Sequence, residues 1–430
     1  MSNSPGQNLL TRATGRLAVL RLRDLRFVFG ATLVSDLGDG VVSVALAFAV
    51  LDLTHSATDL GLVLAARTLA QVLVMLIGGV IADRMSRRTV MMAADAGRFG
   101  SQVAIGVLLL TGHATVAEIA VSQVLLGIGS SFFIPASSGL IRTVAGDHAQ
   151  EANALRTIAS SGAGLLGPAL GGVLVVAVGP SWAMVLDGVS YLLSALLLSR
   201  VGAILATLRR DVDAPSFLTD LRGGFREVTS RTWLWSLIVN MAVGNILFTT
   251  WPVLGPLICK QHYGGAPAYA ALSVVWAAGM LVGGSLLLRF KPRHLLRVAM
   301  LASLPWTLPG IFLGLHFPIY VVGLFQFVSA AGITVEGALF WTTMQQNVPA
   351  ESMSRVTSWD YAVTMSIMPF GYALVGPLVG LVGVSAALIG CSVAVVLVTS
   401  TCFLVREIRM LESVPPVASP PPETKLAGAS

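Results

Sequence analysis

Apolar runs of about twenty residues recur almost without interruption from Phe27 to Val405, and nothing else in the chain constrains its fold as strongly. A helix of about 18 or more apolar residues, rising about 1.5 Å per residue, crosses a hydrocarbon core about 30 Å thick. Six such runs lie at Phe27 to Val50, Thr58 to Ala82, Thr89 to Thr111, Ala114 to Ala136, Thr157 to Val178 and Trp182 to Ser199. Six more lie at Trp233 to Leu254, Pro267 to Leu288, Val298 to Leu315, Pro318 to Phe340, Thr357 to Leu381 and Val384 to Val405. The expected fold is therefore an all-α membrane protein with about twelve transmembrane helices in two six-helix halves. Only 11% of the 430 residues are charged and 55% are hydrophobic, against about 25% charged in an ordinary soluble domain. A water-facing surface cannot be made from that composition.

Five segments follow. Residues 1–26 form a cytoplasmic N-terminal segment, 27–199 the first half, 200–232 a cytoplasmic linker, 233–405 the second half and 406–430 a cytoplasmic tail. The first run is about 24 residues long and has no small-residue cleavage site after it, so it is expected to remain as a span. In the linker, Leu218, Leu221, Phe225 and Val228 recur at helical spacing opposite Asp220, Arg222 and Arg226, which predicts a short amphipathic helix at the inner membrane surface. The tail from Ser413 contains Pro415, Pro416, Pro420, Pro421 and Pro422 and is expected to be disordered.

With both termini cytoplasmic, 24 of the 27 basic residues fall in the inner segments; the exceptions are Lys260 in an outer loop and Arg67 and Arg98 within spans. This skew follows the positive-inside rule and predicts a multi-pass protein of the cell (plasma) membrane with an even number of spans. The net charge of +6 accordingly reflects topology and not nucleic-acid binding, since no basic patch is interleaved with aromatics. Gly78, Gly79, Arg84 and Arg88 after the second span match Gly283, Gly284, Arg289 and Arg293 after the eighth at an offset of 205 residues. An internal duplication of six spans explains the match, parallel repeats being a recurrent transporter plan.

The stretch GVIADRMSRR, Gly79 to Arg88, resembles the signature loop of the major facilitator superfamily, with Ser86 where that family has glycine. The resemblance implies an inner-gate role for Asp83, Arg84 and Arg88, the aspartate engaging the start of the eleventh helix in one alternating-access state. GPALGG, Gly167 to Gly172, resembles the motif of superfamily exporters. Gly167, Pro168, Gly171 and Gly172 there permit a bend and close helix approach, as a hinge or as plain tight packing. The superfamily's fourth-span arginine, four residues before a glycine, is replaced by Gln123 ahead of Gly127, which weakens the case for ordinary proton coupling. SDLGDG in the first span, FFIPA at Phe132, NALR at Asn153 and NVPAESMSRV at Asn347 are similar to the subgroup of enterobactin exporters and macrolide efflux pumps.

An ionisable residue at the centre of a span costs about 2.5–3.5 kcal/mol to insert, which makes each one a candidate for function. Asp36 and Asp39 share one face of the first span, and Asp39 lies about 18 Å from its inner end, near the midplane. Two close carboxylates suit proton uptake and release; the competing reading is a permanent bond, for which Arg67 lies at the right depth. Asp95 and Arg98 can neutralise one another as an intramembrane charge pair. Asp187, in the outer third of the sixth span, suits either role. Glu336 and Asp360 lie toward the inner ends of the tenth and eleventh spans, where a carboxylate reaches interfacial water. Glu336, beside Gly332, Gly337 and Ala338, is the better cavity residue, and Asn240 and Asn245 are candidates to line the path. Trp276 and Phe248 either stack on a substrate or belong to the core.

These residues predict a secondary active transporter, not an enzyme, that exports an amphipathic organic compound such as a drug or siderophore-like metabolite by proton antiport and alternating access. Uptake or symport of a small polar solute is the rival within that class. A membrane-embedded enzyme is the rival outside it, but the six histidines are scattered in or near loops and no nucleophile elbow, phosphate-cradling loop or metal motif occurs. The expected partners are a small-molecule substrate, protons and the lipid bilayer, with no nucleic acid, cofactor or metal. A monomer is expected. Cys259, Cys391 and Cys402 are too few and too dispersed for a disulfide framework and serve as small apolar residues.

Overall fold

The computed structural model describes residues 21–82, 85–202, 217–290 and 292–412. Backbone polar groups in hydrocarbon must be satisfied within their own segment, which makes helices the economical solution. Among the described residues no strand occurs. The first half comprises α1 (Arg23–Thr54), α2 (Ala57–Ala82), α3 (Arg87–Leu110), α4 (Val116–Ala145) and α5 (Ala149–Ser199). A linker helix α6 (Phe217–Thr229) leads to α7 (Thr232–Phe248), α8 (Thr250–His262), α9 (Ala266–Arg289), α10 (Leu295–Ser303), α11 (Leu308–Gly314), α12 (Ile319–Asn347), α13 (Ala350–Ser366), α14 (Met368–Val382), α15 (Val384–Thr401) and α16 (Arg406–Met410).

Against about twelve expected spans, length and hydropathy recognise nine membrane-crossing stretches among the described residues. One of these, Val116–Ser199, contains α4 and both arms of α5. The helix α3 is missing from them because Asp95, Arg98 and Gln102 dilute its apolar stretch. Pairs of shorter helices, α7 with α8, α10 with α11 and α13 with α14, form single apolar stretches. Their joints lie beside Pro252, Pro305 and Pro369, where proline removes a backbone donor and interrupts the helix.

Gly179 divides α5 with φ 85° and ψ 164°, and Gly383 separates α14 from α15 with φ 84° and ψ 166°. Only glycine enters this region without steric cost. The same unusual turn thus recurs between the last two spans of each half, close to the offset of the sequence repeat. His55, at φ 55°, turns the chain out of α1 while its N–H closes the last helical turn onto the Leu51 carbonyl at 3.1 Å.

The apolar cores show how the halves meet. One cluster draws on both: Val42, Leu46, Leu51, Leu60 and Val63 pack with Val253, Ile258, Tyr269, Leu272 and Leu388. At the arginine-rich end the cores are separate. Leu25, Val28, Met91, Phe133, Leu140 and Leu198 form one within the first half, whereas Leu237, Leu296, Met300, Phe340, Met344 and Ile408 form another within the second. The molecule is therefore closed at the end remote from the arginines and divided at the other. The linker helix joins the second body. Val228 is buried in that core, and Phe225 lies 5.3 Å from Trp359 of α13. The side chains of Leu218 and Leu221, the tail from Ser413, and Asp83 and Arg84 lie outside the described residues.

Candidate functional site

The close approach of α1 and α5 builds the site. A side chain at Gly167 would lie 2.7 Å from Gly40, and one at Gly171 would lie 2.6 Å from the Val41 carbonyl, so neither position has room for one. This brings polar groups of both arms of α5 onto α1. Ser160 donates to Asp36 Oδ2 at 2.8 Å, and the Tyr191 hydroxyl donates to Asp39 Oδ1 at 3.1 Å. Asp36 and Asp39 share a helix but serve different partners.

Asp39 is the hub. Arg67 Nη2 of α2 donates to its Oδ1 at 2.9 Å, and Arg98 Nη1 of α3 stands 3.9 Å from its Oδ2. The Arg98 guanidinium carbon also lies 4.3 Å from the ring centroids of both Phe133 and Tyr191, so the cation is held between two aromatic rings. Arg98 pairs with Asp95, whose other oxygen accepts from Ser194 at 2.6 Å. Gln102 donates to Asp187 at 2.6 Å, and Ser101 and Ser122 exchange a 2.9 Å bond beside it.

Exposure divides this network into two layers. Asp39 and Arg67 keep 30% and 23% of their side-chain surface, whereas Arg98 and Asp95 keep 2% and none. The helix that carries Arg67 packs on the second half: a side chain at Gly61 of α2 would lie 2.6 Å from the Tyr372 carbonyl of α14. Of the four carboxylates, Asp39 and Asp95 pair with the guanidinium groups of Arg67 and Arg98, whereas Asp36 and Asp187 are held by the neutral Ser160 and Gln102. Such an imbalance provides places for protons in a medium that penalises net charge.

The carboxylates and arginines of this network stand out in the sequence, but Ser160, Tyr191, Ser194 and Gln102 do not. Polar residues inside apolar runs were the available signal, and it is too common in membrane helices to select these four.

Among the described residues the second half brings no comparable network together. Glu336 is buried against the second half's core with no hydrogen-bond partner among the described residues. Asp360 is also buried, and its Oδ1 is unpaired among the described residues. Asn245 donates to the Thr364 carbonyl at 3.2 Å, and the Asn240 side-chain oxygen is buried without a partner among the described residues. Phe248 stacks on Trp306 at 5.1 Å and contacts Trp276 at 6.3 Å, forming one wall of a cavity of about 20 Å³, room for a single water.

The sequence profile of the Major Facilitator Superfamily matches residues 28–372, from the first residues of α1 into α14. The chain belongs to the Major Facilitator Superfamily. It is 26% identical over 409 residues to the enterobactin exporter EntS of Citrobacter koseri, a match covering 91% of this chain and 94% of that one. It is 25% identical over 403 residues to the multidrug efflux pump Tap of Mycolicibacterium fortuitum, covering 90% and 97%. The crystal structure of the nucleoside transporter NupG superposes with a TM-score of 0.69 at 12% identity, covering 88% of this chain and 98% of that one. The protein is thus a multi-pass transporter of small molecules.

Membership in the Major Facilitator Superfamily gives context to three further positions. Arg88 of the signature loop donates to the Ser199 carbonyl at 2.6 Å, and Arg87 donates to Gly139 and Thr143 at 2.9 Å, so both are tied within the first half. Gln123, which stands where the superfamily has an arginine, is fully buried with both amide atoms unpaired among the described residues. Arginine enters the same bundle from its neighbours instead: the Arg98 side chain lies against Gly129 of α4, and the backbone of Arg67 lies against Gly127.

Proposed function

We propose that the protein exports an amphipathic organic compound across the plasma membrane by alternating access, driven by inward proton flow. The observation that carries this reading is the Asp39–Arg67 pair, half-buried, with Arg67 on a helix that packs against the second half, and backed by sealed Arg98 and Asp95. In the deprotonated state Asp39 holds Arg67. A proton on Asp39 weakens that pair and frees Arg67 to turn to other partners on the facing half. Asp36, nearer the arginine-rich end and bonded to Ser160, relays the proton toward the cytoplasm.

The arrangement of the cores supports a rocking mechanism. The halves share a core at one end only, and this end opens as the arginine-rich end closes. Arg88, held on Ser199 here, is the residue that changes partners in the closed state, together with Asp83 and Arg84. Export is favoured over uptake by the GPALGG contact between α1 and α5 and by the efflux names of the relatives. One charge moving through about 100 mV releases about 2.3 kcal/mol, enough for a roughly fifty-fold gradient.

The test is pH-dependent transport in inverted membrane vesicles carrying the Asp36→Asn and Asp39→Asn double variant. Loss of the pH dependence is expected, with the substrate still entering the vesicle lumen down its gradient. Undiminished pH-driven transport removes the two aspartates from the mechanism. Accumulation only in right-side-out vesicles reverses the direction and establishes uptake of a solute.

A further inference from the structure

At the arginine-rich end of the second half, α10 and the α15–α16 junction enclose an open recess of about 580 Å³. Arg297, Arg406 and Arg409 line it together with Leu301, Phe403 and Met410. Three guanidinium groups converging on one recess repel one another unless an anion accompanies them, and among the described residues none of the three has a hydrogen-bond or ion-pair partner. The two acids nearby are engaged elsewhere: Glu407 accepts from the Trp233 backbone N–H at 2.9 Å, and Glu412 lies 3.3 Å from Arg293. The wall below the arginines is membrane-facing, because Leu301 is 50% exposed, Leu404 79% and Leu397 62% in a chain whose solvent there is lipid.

We propose that this recess binds the phosphate headgroup of an anionic phospholipid of the inner leaflet, with its acyl chains lying along Leu301, Leu397 and Leu404. Two arguments favour this ligand. A guanidinium fork bonds two phosphate oxygens at once, and three such forks around one recess match an anionic headgroup better than a zwitterionic one. Basic pockets between spans on the cytoplasmic side are a general place for such headgroups. The recess also lies apart from the Asp39 network, so occupancy there concerns anchoring of the second half during rocking and does not depend on what is transported.

The test uses the full chain purified in a mild detergent and titrated with phosphatidylglycerol, cardiolipin, phosphatidylcholine or inorganic phosphate. Retained lipid is counted by native mass spectrometry, and thermal unfolding is followed in parallel. Two proteins are compared with the parent: Arg297→Gln/Arg406→Gln/Arg409→Gln, and a charge-matched control, Arg142→Gln/Arg200→Gln/Arg222→Gln, altered at exposed arginines of the same end. The expected result is retention of anionic lipid and a raised unfolding temperature in the parent and control, with at least ten-fold weaker retention in the recess variant. Equal loss in both variants would overturn the proposal in favour of diffuse charge attraction. An equal stabilisation by inorganic phosphate overturns it in favour of a free-phosphate site. Unchanged retention in the recess variant overturns it outright.

Discussion

Lys260 at the end of α8 lies 2.5 Å from the Asp52 carboxylate at the end of α1, and its ammonium also donates to the Leu51 carbonyl at 2.8 Å. Among the described residues this is the salt bridge that joins the two halves, and it sits at the rim of their shared core. Lys260 is also the only basic residue expected in an outer loop.

The Lys260→Met variant is therefore expected to favour opening of that end. Partly exposed pairs contribute about 0.2–1 kcal/mol, so the shift is about 1.4- to five-fold and shrinks in high salt. Distances between spin labels at Leu53 and Phe317 measure it. A distribution identical to the parent's at low salt rules out a latch.

Arg98 is expected to be the residue whose loss costs most. Its replacement by leucine leaves Asp95 buried beside Ser194 without a counter-charge, and breaking a buried pair costs about 3–5 kcal/mol. Arg98→Lys also loses stability, because an ammonium does not fill the slot between Phe133 and Tyr191. The double replacement of Arg98 and Asp95 by leucine recovers much of the loss. Thermal unfolding of the four proteins reads this out, and additive effects in the double variant would show that the pair is not coupled.

Two glycines of the same helix make a controlled comparison. Gly167→Ala presses a methyl group against Gly40 and Leu37, and such overpacking costs about 1–3 kcal/mol. Gly162→Ala meets nothing within 4 Å and is expected to gain up to about 1 kcal/mol from helix propensity. Opposite signs in unfolding temperature are the expected outcome. If both variants are equally tolerated, the α1–α5 contact is looser than described.

Gln123→Met keeps the shape of the side chain and removes two unpaired polar atoms from the first half. An unsatisfied buried group costs about 1–3 kcal/mol, so the variant is expected to be more stable by that order. Thermal unfolding and transport assays together test it: a less stable Gln123→Met protein would mean that the amide has a partner such as a bound water.

Much of the plan is legible in the residues. Hydropathy and the arginine skew are read along the chain, and in a bilayer every apolar run of sufficient length has the same two ends. Depth is legible for the same reason, since a rise of about 1.5 Å per residue puts Asp39 and Arg67 at one level. The repeat around Gly78 and Gly283 indicates two related halves, and Gly179 and Gly383 carry that repeat into backbone geometry.

Azimuth and closeness are not legible. Asp36 and Asp39 look equivalent in sequence, yet one meets Ser160 and the other meets Arg67 and Tyr191, because partners are selected by how near α5 can approach α1. Asp95 and Arg98 are readable as a pair from their spacing. Their seal behind Asp39 depends on Phe133 and Tyr191, residues from two other helices. Glu336 and Asp360 lie where a span nears water, and tertiary packing buries both.

The sequence by itself determined the solvent, the helices, their order and the end at which the cations gather, because these follow from free energies of transfer summed along a continuous segment. Tertiary structure alone decided which end of the two halves closes and which charges face the seam between them. Those depend on contacts between side chains far apart in sequence, such as Lys260 with Asp52, whose energies arise only after the helices have packed.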